Sequence, residues 1–277
     1  MNAPPPLTDR IALARNRAKA ARLPDRALFL QEGVVAEVQE RLSEVNRTFT
    51  DVAVVTAEPA LWQAAIPGVR IVADGPVLDL APTSVDLVIH ALCLHWADDP
   101  VGQIVQCARA LRPDGLFLAV LFGGRTLHEL RACLAEAEVT ETGGLSPRVL
   151  PMAEIRDLGG LMQRAGLALP VADSDLRRVT YRDAPHLMAD LRSMGETNAL
   201  HARLRRFTRR GVIAGAAARY AQGFALPDGR VPATFELIFL TGWAPHEDQQ
   251  KPLRPGSAAM RLADALQTRE SPLPDRT

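Results

Sequence analysis

A histidine and a tryptophan stand side by side at His95 and Trp96, soon after Val85-Asp86-Leu87-Val88-Ile89, a run with the composition of a buried strand. The carboxyl ends of parallel strands are where open α/β sheets place their ligands. At such a place Trp96 can stack on a ring and His95 can act as donor or base, which makes the pair the catalytic candidates. The plainer reading has Trp96 closing the end of the sheet and His95 capping the next helix. Gly123, Gly124 and Arg125 follow a second apolar run, and the helix opening at Thr126 offers free N–H groups to an anion. A tight turn with a capping box formed by Thr126 and Glu129 explains the same residues, except Arg125. His128, His186 and His201 pair at no metal-ligand spacing, so no metal is expected. Arg203, Arg205, Arg206, Arg209 and Arg210 read as a solvated helix face that can also meet an acidic partner or lipid headgroups.

These residues need a scaffold, and the chain supplies the pattern of one. Val52 to Thr56, Val69 to Ala73, Val85 to Ile89 and Leu116 to Phe122 are short β-branched or apolar runs, and helical spacing lies between them. Asp99 and Pro100 open a helix with Val101, Ile104, Val105, Ala108 and Leu111 on one face, and Arg112-Pro113-Asp114-Gly115 ends it. Strand alternating with helix predicts a parallel sheet. Further on, the pattern predicts a helix around Ile155 to Ala165, strands at Leu167 to Ala172 and Arg177 to Tyr181, helices from about Ala184 to Gly223, and a last strand at Thr234 to Leu240. Two helices broken near Pro24 precede the sheet. The expected divisions are a helical segment at 1–46, an α/β domain at 47–174, a helical and strand extension at 175–245, and a Pro/Arg-rich tail at 246–277.

Composition narrows the function classes. The 277 residues carry 32 Lys plus Arg against 32 Asp plus Glu, a formal net charge of +0 that speaks against general nucleic-acid binding. Cys93, Cys107 and Cys133 lie far apart, without a CxxC pair, and read as core residues of a protein in a reducing compartment. No apolar run is long enough to span a membrane, so any membrane association is expected to be peripheral. The Arg-rich start resembles a mitochondrial transit peptide, although Asp9 and Asp25 interrupt it.

The segment from Val85 through Leu92-Cys93-Leu94-His95-Trp96 and the following helix to Leu111-Arg112-Pro113-Asp114-Gly115-Leu116 resembles the fourth-strand, helix and fifth-strand region of class I S-adenosylmethionine-dependent methyltransferases. Its Leu-His-Trp ending is similar to the biotin-synthesis O-methyltransferase branch. A narrower resemblance, to the complex I assembly arginine-hydroxylase family, runs from about Val72 to Ser257. It rests on Phe122 to Arg131, Gly143-Gly144-Leu145-Ser146-Pro147-Arg148, Asp157-Leu158-Gly159, Met194-Gly195-Glu196-Thr197-Asn198, Asp228 to Phe235 and Gly242-Trp243-Ala244-Pro245-His246. The resemblance implies a Rossmann-like methyltransferase fold, S-adenosylmethionine as cofactor, and a protein partner, such as a complex I subunit. With no apolar secretory block at its start, the chain is expected in the bacterial cytoplasm, with the inner-membrane face as an alternative.

The chain departs from that family where the cofactor should bind. Class I methyltransferases carry a glycine-rich loop after the first strand, because only glycine lets backbone approach the ligand so closely. Here the stretch is Val54-Val55-Thr56-Ala57-Glu58-Pro59, with no glycine between Gly33 and Gly68. Ala57 to Ser84 holds 28 residues, too few for two strand–helix units, one βαβ unit alone taking roughly 30. One unit is therefore expected to be missing. Any cofactor contact falls to Thr56, Ala57, Glu58, Asp74 and Leu94. Asp74 reads either as a ribose-binding acid or as the family's acid after its third strand, the gap-free register favouring the latter. A carboxylate at Glu58 would repel the cofactor's own. Two functions stay open: a methyltransferase-like enzyme or arginine hydroxylase acting on a respiratory-complex protein, and a non-catalytic assembly factor that no longer binds S-adenosylmethionine. The expected partner surface is Gly123, Gly124, Arg125, Arg131, Arg148 and Trp243, Arg and Trp being frequent interface anchors.

Overall fold

Two helices lead into the sheet, the first of them capped. In the computed structural model, which describes residues 5–249, Asp9 accepts from the Ala12 N–H at 3.0 Å and opens α1 (Arg10–Ala20); α2 (Phe29–Glu44) follows. β1 (Val52–Thr56), α3 (Pro59–Ala65), β2 (Arg70–Val72) and β3 (Val85–Ala91) come next. Asp99 caps α4 (Pro100–Ala110), with Pro100 in its first turn, and β4 (Leu111–Phe122), α5 (His128–Thr142) and α6 (Ile155–Arg164) follow. β5 (Ala168–Tyr181), α7 (Ala184–Ser193), α8 (Arg210–Phe224) and β6 (Val231–Trp243) complete the described elements.

The six strands form one sheet in the order β2-β1-β3-β4-β6-β5. β2, β1, β3 and β4 run parallel, and β6 is antiparallel to both of its neighbours. Between β1 and β3 there is one helix and one strand, so the strand–helix unit missing from the sequence is missing from the sheet. Strand alternation splits the core. Val54, Leu87, Ile89, Leu118 and Val120 face α2, α5, α7 and α8, whereas Ala53, Val55, Val88, Phe117 and Ala119 face α4 and α6. All three cysteines are buried, and burial pushes the Cys93 and Cys107 thiols up to about 12, which leaves them neutral.

Several local expectations are corrected. The two strands placed at Leu167 to Ala172 and Arg177 to Tyr181 are one continuous β5, because β6 offers an unbroken partner from Trp243 back to Val231. The helical stretch from Ala184 to Gly223 is interrupted between α7 and α8. Thr126 and Glu129 form no capping box: α5 starts at His128, and both side chains reach across to β6. Thr126 Oγ1 accepts from the Glu236 N–H at 3.0 Å, while a Glu129 carboxylate oxygen accepts from the Thr234 hydroxyl at 2.5 Å. The spacing served tertiary pinning instead of a helix end. The chain divides at Pro245, and the expected tail lies, from residue 250 on, outside the described residues.

Candidate functional site

At the carboxyl end of the sheet, β1, β2 and β3 deliver Glu58, Asp74 and Cys93 toward one cleft, and the N-terminal arm closes it. A bridge between Thr8 and Leu200, with the Asp9 N–H donating to the Ala199 carbonyl at 2.7 Å, lays α1 across the opening. Arg10 and Arg17, two turns apart on α1, both reach Asp74 Oδ2, at 3.2 and 2.9 Å. The Asp74 side chain is only 2% exposed. Burial works against its charge, but the two guanidinium groups outweigh it and hold the carboxyl below the usual range. Beside it, Arg26 grips Glu58 through two bonds of 2.6 and 2.5 Å. Glu58 is thus no bare charge, and the repulsion expected from it is neutralised by Arg26.

The space left among Thr56, Ala57, Glu58, Trp62, Ala91 and Glu196 is about 10 Å³, room for a single water. Pockets for cofactor-sized ligands measure roughly 300–1,000 Å³. The Thr56 hydroxyl accepts from the Glu58 N–H at 3.0 Å and Leu94 points into the core under α4, so neither presents a free side chain to a ligand. As these side chains are packed, the space beside Thr56 to Glu58 is far smaller than S-adenosylmethionine needs. β2 lies against β1, where a dinucleotide fold sets its ribose-binding strand, yet the carboxylate there is held by α1.

His95 and Trp96 occupy a 3-10 turn, Leu94–Trp96, past the end of β3. Trp96 Nε1 donates to Glu196 at 2.7 Å, and His95 Nε2 lies 3.5 Å from the same carboxylate. Burial opposes the Glu196 charge, while His95, Arg17 and the indole N–H together hold the carboxyl low. The His95 ring packs edge-on against Phe122 at 5.0 Å, its side chain 1% exposed. Glu196 and Met194 form the wall between the closed cleft and a second cavity of about 280 Å³. Trp96, Phe122, Leu130, Leu134, Met152 and Met188 line that cavity, which is mostly apolar. Among the described residues no three His, Cys, Asp or Glu side chains converge as a metal site would need.

Most of the residues expected on a partner surface turn inward. A Cβ on Gly123 would lie 2.5 Å from Glu236 Oε2, and one on Gly124 would lie 2.3 Å from Glu154 Oε1, so both glycines make room for carboxylates. Glu236 also accepts the Arg125 N–H at 2.9 Å. Arg131 donates to the carbonyls of Gly124, Thr126 and Leu150 at 3.3 to 3.4 Å. Arg148 is bound to Glu138 at 2.7 and 2.9 Å, and Trp243 packs against the core. Arg125 alone of these arginines sends its side chain outward with no hydrogen bond or ion pair among the described residues. Sequence reasoning missed Arg10, Arg17, Arg26 and Glu196. The signal for the first two was their seven-residue spacing on one helix face.

A doubly wound sheet with an antiparallel last strand and a match of residues 33–119 to the methyltransferase domain family define a class I methyltransferase-fold protein. The chain is 33% identical over 285 residues to the mitochondrial arginine-hydroxylase NDUFAF5 of Mus musculus, covering 92% of this chain and 82% of that protein. It therefore belongs to the family of the NDUFAF5 arginine-hydroxylases. Against the Danio rerio member it is 38% identical over 199 residues, 72% of this chain and 62% of the relative, so it spans less than two thirds of that protein's length. The malonyl-[acyl-carrier protein] O-methyltransferase of Xylella fastidiosa is 37% identical over 179 residues, 65% of this chain and 58% of that one.

Proposed function

We propose that this chain is a non-catalytic member of its family, a methyltransferase-fold protein that has given up S-adenosylmethionine and works by binding a protein partner, in the manner of an assembly factor for a respiratory complex. One observation carries the reading: the cofactor cleft is filled by the protein's own ion pairs, Arg26 with Glu58 and Arg17 with Asp74. Losing the glycines without refilling the cleft would leave buried carboxylates unpaired, which is costly. The family's arginine-hydroxylases supply the class of partner, a protein presenting a segment to the carboxyl face of the sheet. The apolar cavity beside Glu196 and the outward Arg125 are the features of that face a partner can use. An enzyme reading has one observation in its favour, the buried Asp74 Oδ1 without a hydrogen-bond partner, and it requires α1 to leave the cleft.

Complementation of a deletion strain separates the two. His95→Gln removes the imidazole that lies 3.5 Å from Glu196, behind the wall of the cavity, and a binding factor carrying it is expected to restore assembly of the respiratory complex to near the wild-type level. Loss of more than about tenfold, with folded protein at wild-type abundance, would instead mark His95 as a chemical participant.

A further inference from the structure

We propose that the segment between α7 and α8, together with the outer face of α1, is a docking surface for an anionic phospholipid bilayer. From Thr197 to Pro227 the chain contains Arg203, Arg205, Arg206, Arg209, Arg210 and Arg219 and no acid, although the whole protein has a formal net charge of +0. The sequence alone reads the first five as a solvated helix face. In the structure the stretch from Arg203 to Arg209 precedes α8 and is coil. Phe207 at its tip is 101% exposed, with its whole ring in solvent among the arginines.

Phe207 stands between two hollows. One, of about 390 Å³, is bounded by Arg15, Arg203, Leu204, Arg205, Arg206 and Phe207. The other, of about 180 Å³, has Leu145, Leu204, Arg206, Phe207 and Arg209 among its walls. Leu145 is 68% exposed, and Ile11, one turn from Arg15 on α1, is 82% exposed. Arginines thus surround several separate apolar tips.

The charges facing this surface leave it positive. Asp9 is committed to Arg203 at 2.9 Å and Arg205 at 3.5 Å, and Glu138 to Arg148. Glu141, beside Gly211, offsets one more cation. Among the described residues Arg15, Arg206 and Arg210 have no acidic partner. Cations that meet lipid phosphates, with apolar side chains that enter the acyl boundary between them, are what holds a protein on an anionic membrane surface. An acidic protein would satisfy the arginines but would leave Ile11, Leu145 and Phe207, projecting at separate points, without a common groove. A single-stranded nucleic acid would want stacked rings, and Phe207 is the one aromatic here.

The test is co-sedimentation of the full chain with vesicles of pure phosphatidylcholine and with vesicles containing one-third phosphatidylglycerol. The wild type is expected to sediment with the anionic vesicles only, and high salt should release it. Arg206→Glu with Arg210→Glu is expected to lower partitioning at least about tenfold, and Phe207→Ser several-fold, with unchanged thermal unfolding. Arg156→Glu with Arg164→Glu, the same charge change on the exposed side of α6, should leave binding intact. Equal loss in that control would reduce the effect to net charge and overturn the proposal. So would failure of the wild type to bind anionic vesicles at low salt, including the case where Arg206 and Arg210 still prove necessary in cells, which would assign the surface to an acidic protein.

Discussion

Asp74→Ala is expected to destabilise the protein by about 3–5 kcal/mol, read as a lowered midpoint of urea unfolding at neutral pH. The carboxylate is almost fully buried and receives both Arg10 and Arg17. Removing it strands two guanidinium groups over the cleft and loosens α1 from the sheet. Asp74→Asn keeps an acceptor in the same place and is expected to lose less. In an open cofactor site the same carboxylate would serve the ligand, and its removal would change stability by little. A midpoint within error of wild type for Asp74→Ala would therefore contradict the closed cleft.

Arg148→Ala is expected to cost about 3 kcal/mol near neutral pH, because Glu138, whose side chain is 4% exposed, would keep only the Ser146 hydrogen bonds. The hydrogen bonds from Arg148 and Ser146 outweigh burial and pull the Glu138 carboxyl from its ordinary 4.5 to about 2. A depressed carboxylate stabilises the fold above its unfolded value, and that contribution is lost as pH falls through the folded one. The gap between wild type and Arg148→Ala should be full above pH 4.5 and should shrink as pH drops toward about 2. Parallel stability curves for the two proteins across that window would show that the pair contributes nothing specific. The pair also ties the 143–148 loop to α5, with Thr208 as a third partner at 3.0 Å, and so it steadies one wall of the apolar cavity.

Much of this architecture could be read from residue types. Val52 to Val55 and Leu116 to Phe122 are apolar without interruption because both faces of these strands are covered, and the sheet places both strands inside its edges. The missing strand–helix unit followed from chain length alone, which no side-chain choice can evade. Absence of glycine after β1 was equally plain. What filled the cleft was not, because Arg10 and Arg17 meet Asp74 across 64 and 57 residues, and local spacing carries no record of such a partner. Thr126 and Glu129 misled for a related reason. A hydroxyl and a carboxylate three residues apart suit a helix N-terminus, but they equally suit two rungs of a neighbouring strand, and β6 claimed them. Arginine is usually solvated, so the sequence points Arg131 and Arg148 outward; carbonyls in the one case and Glu138 in the other draw them inside.

On the proposed reading, α1 is the element on which function turns. Its arginines hold Asp74 past the end of β2, beside the loop where Arg26 holds Glu58, while the apolar cavity on the far side of Glu196 stays open. Isothermal calorimetry of the purified chain with S-adenosylmethionine, and with S-adenosylhomocysteine, measures this directly. The expected result is no heat of binding for either ligand up to millimolar concentration, with no rise in thermal unfolding temperature in their presence. Saturable micromolar binding of either one would contradict the closed cleft and return the chain to the enzymes.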